Sequence, residues 1–99
     1  MSSSQTKSSV ARAVSIAVSS DTLSVDLEDG RTVAVPLSWY PRLLHGTEAE
    51  RADWQIIGDG EGISWPRLDE DISTEGLLAG NPSAESDKSL QRWLESRKQ

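Results

Sequence analysis

A lone histidine, His45, six carboxylates between Asp59 and Glu75, and alternating glycines at 58, 60 and 62 are the groups whose types and spacing could do chemistry. Nucleophilic catalysis needs a nucleophile beside a base, with a third group orienting that base. His45 precedes Gly46 at a predicted helix end, where a cation or donor suits the free carbonyls, and that position accounts for it without catalysis. Asp59, Glu61, Asp69 and Asp71 could form a carboxylate pair for acid–base work, yet nothing marks them as buried or shifted in pKa. The run Gly58-Asp59-Gly60-Glu61-Gly62 lacks the full ligand set and closing Glu of a calcium loop. Its glycines match neither the Walker A nor the dinucleotide pattern, and are read as a flexible hairpin connection. Cysteine is absent, which removes disulfides, thiolate zinc sites and cysteine nucleophiles. No catalytic, cofactor-binding or metal-ligating residue is therefore assigned, and the chain is not expected to be an enzyme.

What remains is charge and shape. The 99 residues carry ten Lys and Arg against sixteen Asp and Glu, for a net charge of −6. Residues 58–79 alone contribute −5, with Asp59, Glu61, Asp69, Glu70, Asp71 and Glu75 opposed there only by Arg67. Such a patch steers a basic partner, although Asp69 to Asp71 can equally serve the positive end of a helix beginning at Ser73. The overall acidity argues against direct nucleic-acid binding, which needs clustered Lys and Arg. No stretch has the apolar length of a signal peptide or a membrane span, so a cytoplasmic location away from membranes is expected.

The elements that must carry these groups follow from periodicity. Residues 1–9 (MSSSQTKSS) hold no large apolar side chain after Met1 and are expected to be a disordered tail. Val10, Val14, Ile16 and Val18 share one parity, broken by Arg12. Leu23, Val25 and Leu27 then alternate with polar residues, and Val33, Val35 and Leu37 resume the pattern after Asp29-Gly30, a dipeptide suited to a two-residue hairpin turn. With Ser19-Ser20-Asp21 as the first turn, this predicts a three-stranded meander over 11–37. Ser38 is expected to cap a short helix containing Trp39, Pro41, Leu43 and Leu44, ended at Gly46. Thr47 and Glu50 fit a capping box that opens a second helix over about 48–53. Trp54 to Ile57 and Ile63 to Trp65 form a predicted hairpin, and Ser73 caps a helix with Leu77 and Leu78 that stops at Gly80 and Pro82. Residues 81–99 form a separate C-terminal amphipathic helix with Leu90, Trp93 and Leu94 on one face. Trp54 and Trp65 are expected in the core. Trp93 either folds back on its own domain or anchors a partner.

At Gly62-Ile63-Ser64-Trp65-Pro66-Arg67-Leu68-Asp69-Glu70-Asp71-Ile72-Ser73, followed by Glu75-Gly76-Leu77-Leu78 and Gly80, the chain resembles the bacterial domain-of-unknown-function family DUF 2442. Asp29-Gly30, Pro36-Leu37 and Glu50-Arg51-Ala52 before Trp54 agree with that layout, so the resemblance covers about residues 12–80. Ser64 stands where a larger polar residue such as His is often expected, so a role tied to that side chain is not carried over. The resemblance implies a small α+β domain, found alone or fused to a helix-turn-helix segment. It also implies a second small protein encoded nearby, the pair being expected to form a toxin–antitoxin system. No activity, cofactor or catalytic residue comes with it.

The expected fold is therefore α+β: a small antiparallel sheet, made of a meander plus a hairpin, packed with short helices in a single domain over residues 10–80. The expected function is that of a protein-interaction module, the antitoxin-like member of a two-protein bacterial system. Its partner is expected to be small and more basic, met through Asp69, Glu70, Asp71 and Trp93. The alternative is an accessory or sensor domain in DNA-level transcriptional regulation. Exposed strand edges permit a homodimer without requiring one.

Overall fold

The structure is a computed structural model that describes residues 11–98; the expected tail at 1–9 and Val10 lie outside the described residues. Strands β1 (Ala13–Val18), β2 (Thr22–Leu27) and β3 (Thr32–Pro36) form an antiparallel meander in that order. Leu23, Val25 and Leu27 are buried while Asp26 faces out, as the alternation in β2 requires.

Two local details differ from the sequence reading. Asp26 pairs with Thr32, and the Leu27 N–H donates to the Arg31 carbonyl at 2.8 Å. The loop is thus three residues, Glu28 to Gly30, with Gly30 at φ +97°. Three-residue hairpin loops commonly end on a positive-φ residue, and glycine adopts it without steric cost. In β1 the register shifts between Ala13 and Ser15, which pair with the adjacent Leu27 and Asp26. That bulge inserts one residue, so Ala13 is buried and Val14 is 52% exposed. Val14 therefore leaves the face where Ile16 and Val18 pack against the core.

A 3₁₀ turn at Leu37–Trp39 precedes helix α1 (Pro41–Leu44), and Ser38 lies within the turn instead of capping a helix. Pro41 explains the correction. It restricts the residue before it to extended backbone, and Tyr40 sits at φ −126°, ψ 86°. The missing N–H and preset φ of Pro41 suit the first helical position. Helix α2 (Glu48–Ala52) opens with the predicted capping box: Thr47 Oγ1 accepts from the Glu50 N–H at 3.1 Å, and Glu50 Oε1 from the Thr47 N–H at 2.8 Å.

Strands β4 (Gln55–Ile57), β5 (Gly62–Trp65) and β6 (Glu70–Ser73) form a second antiparallel sheet in that order. The expected hairpin therefore has a third strand, and the two sheets are separate while the class remains α+β. Ser73 caps α3 (Thr74–Leu78), its Oγ accepting from the Gly76 N–H at 2.8 Å. Ser86 caps α4 (Asp87–Arg97) in the same way, accepting from the Ser89 N–H at 3.1 Å.

The sheets are joined at Gly60. Its carbonyl accepts from the Ala13 N–H and from the hydroxyl of Thr74, both at 2.8 Å, and Thr74 is 1% exposed. Gly60 has φ +93°, and a Cβ there would lie 2.7 Å from the Ala13 carbonyl oxygen. The glycine run is thus a packed joint at its centre, not simply a flexible connection. Around it the core gathers Leu37, Tyr40, Leu43, Ile63, Trp65, Leu68 and Leu77 with the β2 side chains. The Trp65 indole N–H donates to the Arg51 carbonyl at 3.0 Å, while Trp54 is only partly buried.

Candidate functional site

The acidic segment 69–71 begins in a turn and continues along a strand, so its three side chains have three surroundings. Asp69 ends the 3₁₀ turn Pro66–Leu68 in the left-handed conformation, φ 54° and ψ 46°. Its side chain is 91% exposed and touches Arg42 Nη1 at 3.3 Å. In β6, Glu70 pairs with Trp65 and Ile72 with Ile63, which puts Glu70 on the core side of the sheet. Asp71 pairs with Ser64 on the opposite, exposed face. The sequence placed these residues in one patch; the pleat separates them.

Glu70 borders a cleft of about 270 Å³ between β6, α3 and the segment Asn81–Ala84, with Tyr40 on its wall. Burial pushes its carboxyl up to about 7 against the pull of Arg42, and the charges of Glu85, Asp71 and Asp69 push the same way as burial. Burial likewise raises Tyr40, aided by the Glu70 charge. The Tyr40 hydroxyl donates to the Asn81 carbonyl at 3.0 Å and ties this segment to the domain.

The neighbouring cationic cluster holds the C-terminal helix. Arg42, on α1, donates from Nε and Nη2 to Glu85 at 2.6–3.0 Å and from Nη1 to the Asp69 carbonyl at 3.1 Å. The side chains of Arg42 and Glu85 are only 15% and 9% exposed, and the guanidinium holds Glu85 below the usual carboxylate range. Arg97, on α4, reaches back to Glu50 of α2 at 2.7 Å. That bond, with the Thr47 N–H, lowers the Glu50 carboxyl to about 2. Both guanidiniums stack on Trp93, at 5.1 Å for Arg42 and 4.6 Å for Arg97 from the ring centroid. Trp93 is partly buried against the core, its ring engaged within its own chain. The spacing of Leu90, Trp93 and Leu94 indicated an apolar face, but the two arginines that cover Trp93 are 51 and 4 residues away and only the second was within local reach.

The outer face of the second sheet is different. Ile57, Gly62 and Ser73 stand side by side across β4, β5 and β6, and Gln55, Ser64 and Asp71 form the next row. The Ile57 side chain lies across Gly62, which is buried, and borders a groove of about 380 Å³ lined also by Glu61, Gly62, Asp71, Ile72 and Ser73. Ile57 is 40% exposed there. Sequence reasoning missed this groove because it exists only once β6 is paired.

His45 caps the end of α1, exposed, with its backbone N–H donating to the Pro41 carbonyl at 2.9 Å. Among the described residues no group of three or more His, Asp or Glu side chains converges to hold a metal ion, and no helix is long and apolar enough to cross a membrane.

The sequence profile of the family described as Protein of unknown function (DUF2442) matches residues 13–83, which span both sheets and reach past the cleft. The chain belongs to this family. Two solved structures share its architecture. A protein of unknown function from Rhodospirillum rubrum ATCC 11170, seen in a crystal structure, is 34% identical with a TM-score of 0.65. The match covers 76% of this chain and 93% of that one. An uncharacterized protein from Chromobacterium violaceum, solved by solution NMR, is 20% identical with a TM-score of 0.67, over 90% of this chain and 82% of its own. That likeness speaks for the DUF2442 fold alone. No curated protein matches the chain.

Proposed function

We propose that this DUF2442 protein is a protein-interaction module, the antitoxin-like member of a two-protein bacterial system, whose acidic surface receives a more basic partner encoded nearby. One observation carries this reading. Of the six carboxylates in 58–79, Asp59, Glu61, Asp69, Asp71 and Glu75 are exposed, and only Glu70 turns towards the core side. Exposed charges of one sign steer encounter and select partners by complementarity more than they add to affinity.

The test is co-expression with the adjacent gene product, followed by size exclusion. A stable complex is expected. Reversing Asp69 and Asp71 to Lys should slow association and flatten its salt dependence. A complex with unchanged affinity and salt dependence would remove the acidic surface from the mechanism. Glu70 is left out of the reversal because a lysine there would load the buried side of the sheet.

A further inference from the structure

We infer that the groove over Gly62 on the outer face of β4–β5–β6 is the seat for one large aliphatic side chain of the basic partner, flanked in that partner by Lys or Arg. The inference rests on the interaction-module reading above and says where and how the partner is held.

The period of a strand sends Ile57, Gly62 and Ser73 outward together, and the missing side chain at Gly62 lets Ile57 lie across β5 at the edge of the groove. A Cβ on Gly62 would meet the Ile57 side chain at 3.2 Å and the Ile72 carbonyl oxygen at 3.1 Å, so Ile57 forms the apolar wall of the groove. Ile57 is 40% exposed although Ile56, Ile63 and Ile72 in the same sheet turn inward.

Charge complementarity selects the occupant. Glu61 and Asp71 edge the groove, and among the described residues neither forms an ion pair; Asp59 nearby is taken by Arg12 at 3.4 Å. An aliphatic anchor would lie against the exposed side of Ile57, and flanking cations would reach the two carboxylates. A second copy of the chain is disfavoured, because at −6 it would bring acidic rim against acidic rim.

The experiment is a ¹⁵N-resolved NMR titration of the full chain with a blocked peptide, Lys-Lys-Leu-Leu-Lys-Lys, and its glutamate counterpart. The cationic peptide should shift Ile57, Gly62 and Ser73 and their neighbours, and the acidic peptide should not. Ile57→Thr, which keeps a β-branched side chain on the strand, should weaken binding about tenfold, corresponding to the loss of apolar burial. Asp71→Lys, at an exposed position, should weaken it and reduce its salt dependence. Shifts that survive Ile57→Thr but vanish with Asp71→Lys would overturn the groove and leave the acidic-surface reading standing. Absence of localised shifts, or equal shifts with the acidic peptide, would also overturn it. The co-expression experiment judges the module reading separately.

Discussion

The two sides of the second sheet use polar groups in opposite ways. On the side of α1 and α4, Arg42, Glu85, Arg97, Glu50 and Trp93 satisfy one another at hydrogen-bonding or stacking distance, largely shielded from water. On the outer face, Ile57 stands uncovered beside Glu61 and Asp71. Charges matched inside the chain hold a helix in place; charges left unmatched at the surface are free to meet another molecule. Trp93 and Asp71 looked alike in the sequence as binding candidates, and the fold assigns them to different sides of this contrast.

The largest expected effect concerns the joint on which both sides depend. Gly60→Ala must place a Cβ 2.7 Å from the Ala13 carbonyl oxygen at a φ of +93°. Steric overlap with backbone adds to the cost of positive φ, so a loss of about 3 kcal/mol or more is expected by urea unfolding. A near-neutral result would mean that the two sheets are not locked at this point, and the outer face would lose its rigid backing.

Arg42→Met comes next. It leaves Glu85 shielded without its guanidinium and strips one stacking partner from Trp93. Removing one member of a shielded ion pair is costly, and a loss of about 2–3 kcal/mol is expected. Amide hydrogen exchange should rise along α4 more than in β1–β3. Uniform exchange would show that the cluster does not specifically hold the helix.

Within the shielded side, two carboxylates define two pH windows. Glu50 ionises near 2 in the folded chain against 4.5 unfolded, so its contribution is complete above pH 4.5 and is lost as pH falls towards 2. Glu70 ionises near 7 against 4.5, so its contribution is complete below pH 4.5 and is lost as pH rises through 7. Stability followed by urea unfolding from pH 2 to 8 should therefore decline at both ends. Glu70→Gln should flatten the upper decline and Glu50→Gln the lower; a Glu70→Gln profile parallel to wild type would mean that Glu70 titrates as a solvated carboxyl.

How far the sequence foretold all this depends on how local each interaction is. The alternation of Leu23, Val25 and Leu27 and the Thr47–Glu50 capping box are written within a few residues, and both were legible. Strand β6 was not: Glu-Asp-Ile-Ser holds one apolar side chain and residue types depleted in strands, and pairing with β5 is what makes it a strand. The direction of Glu70 was hidden for the same reason, since a side chain has no assigned face until its strand exists. The joint at Gly60 needs Ala13, and the Arg42–Glu85 pair spans 43 residues, beyond the reach of any periodic pattern. Exposure of Asp69 and Asp71, by contrast, followed from charge alone.

The smallest effects should fall on the outer face and its turn. Asp69 is the only non-glycine residue at positive φ among those described, and its contact with Arg42 is made by a carboxylate 91% exposed. An ion pair so open to water is worth little, while left-handed backbone costs a residue with a Cβ about 1–2 kcal/mol, less for Asp than for most. Asp69→Gly should therefore be neutral or stabilising by up to about 1 kcal/mol. Ile57→Thr, on a side chain already 40% exposed, should cost no more than about 0.5 kcal/mol. Together these two variants separate surface from support. If either destabilises the fold as much as Arg42→Met, the outer face is structural, and its exposed isoleucine is not spare surface for a partner.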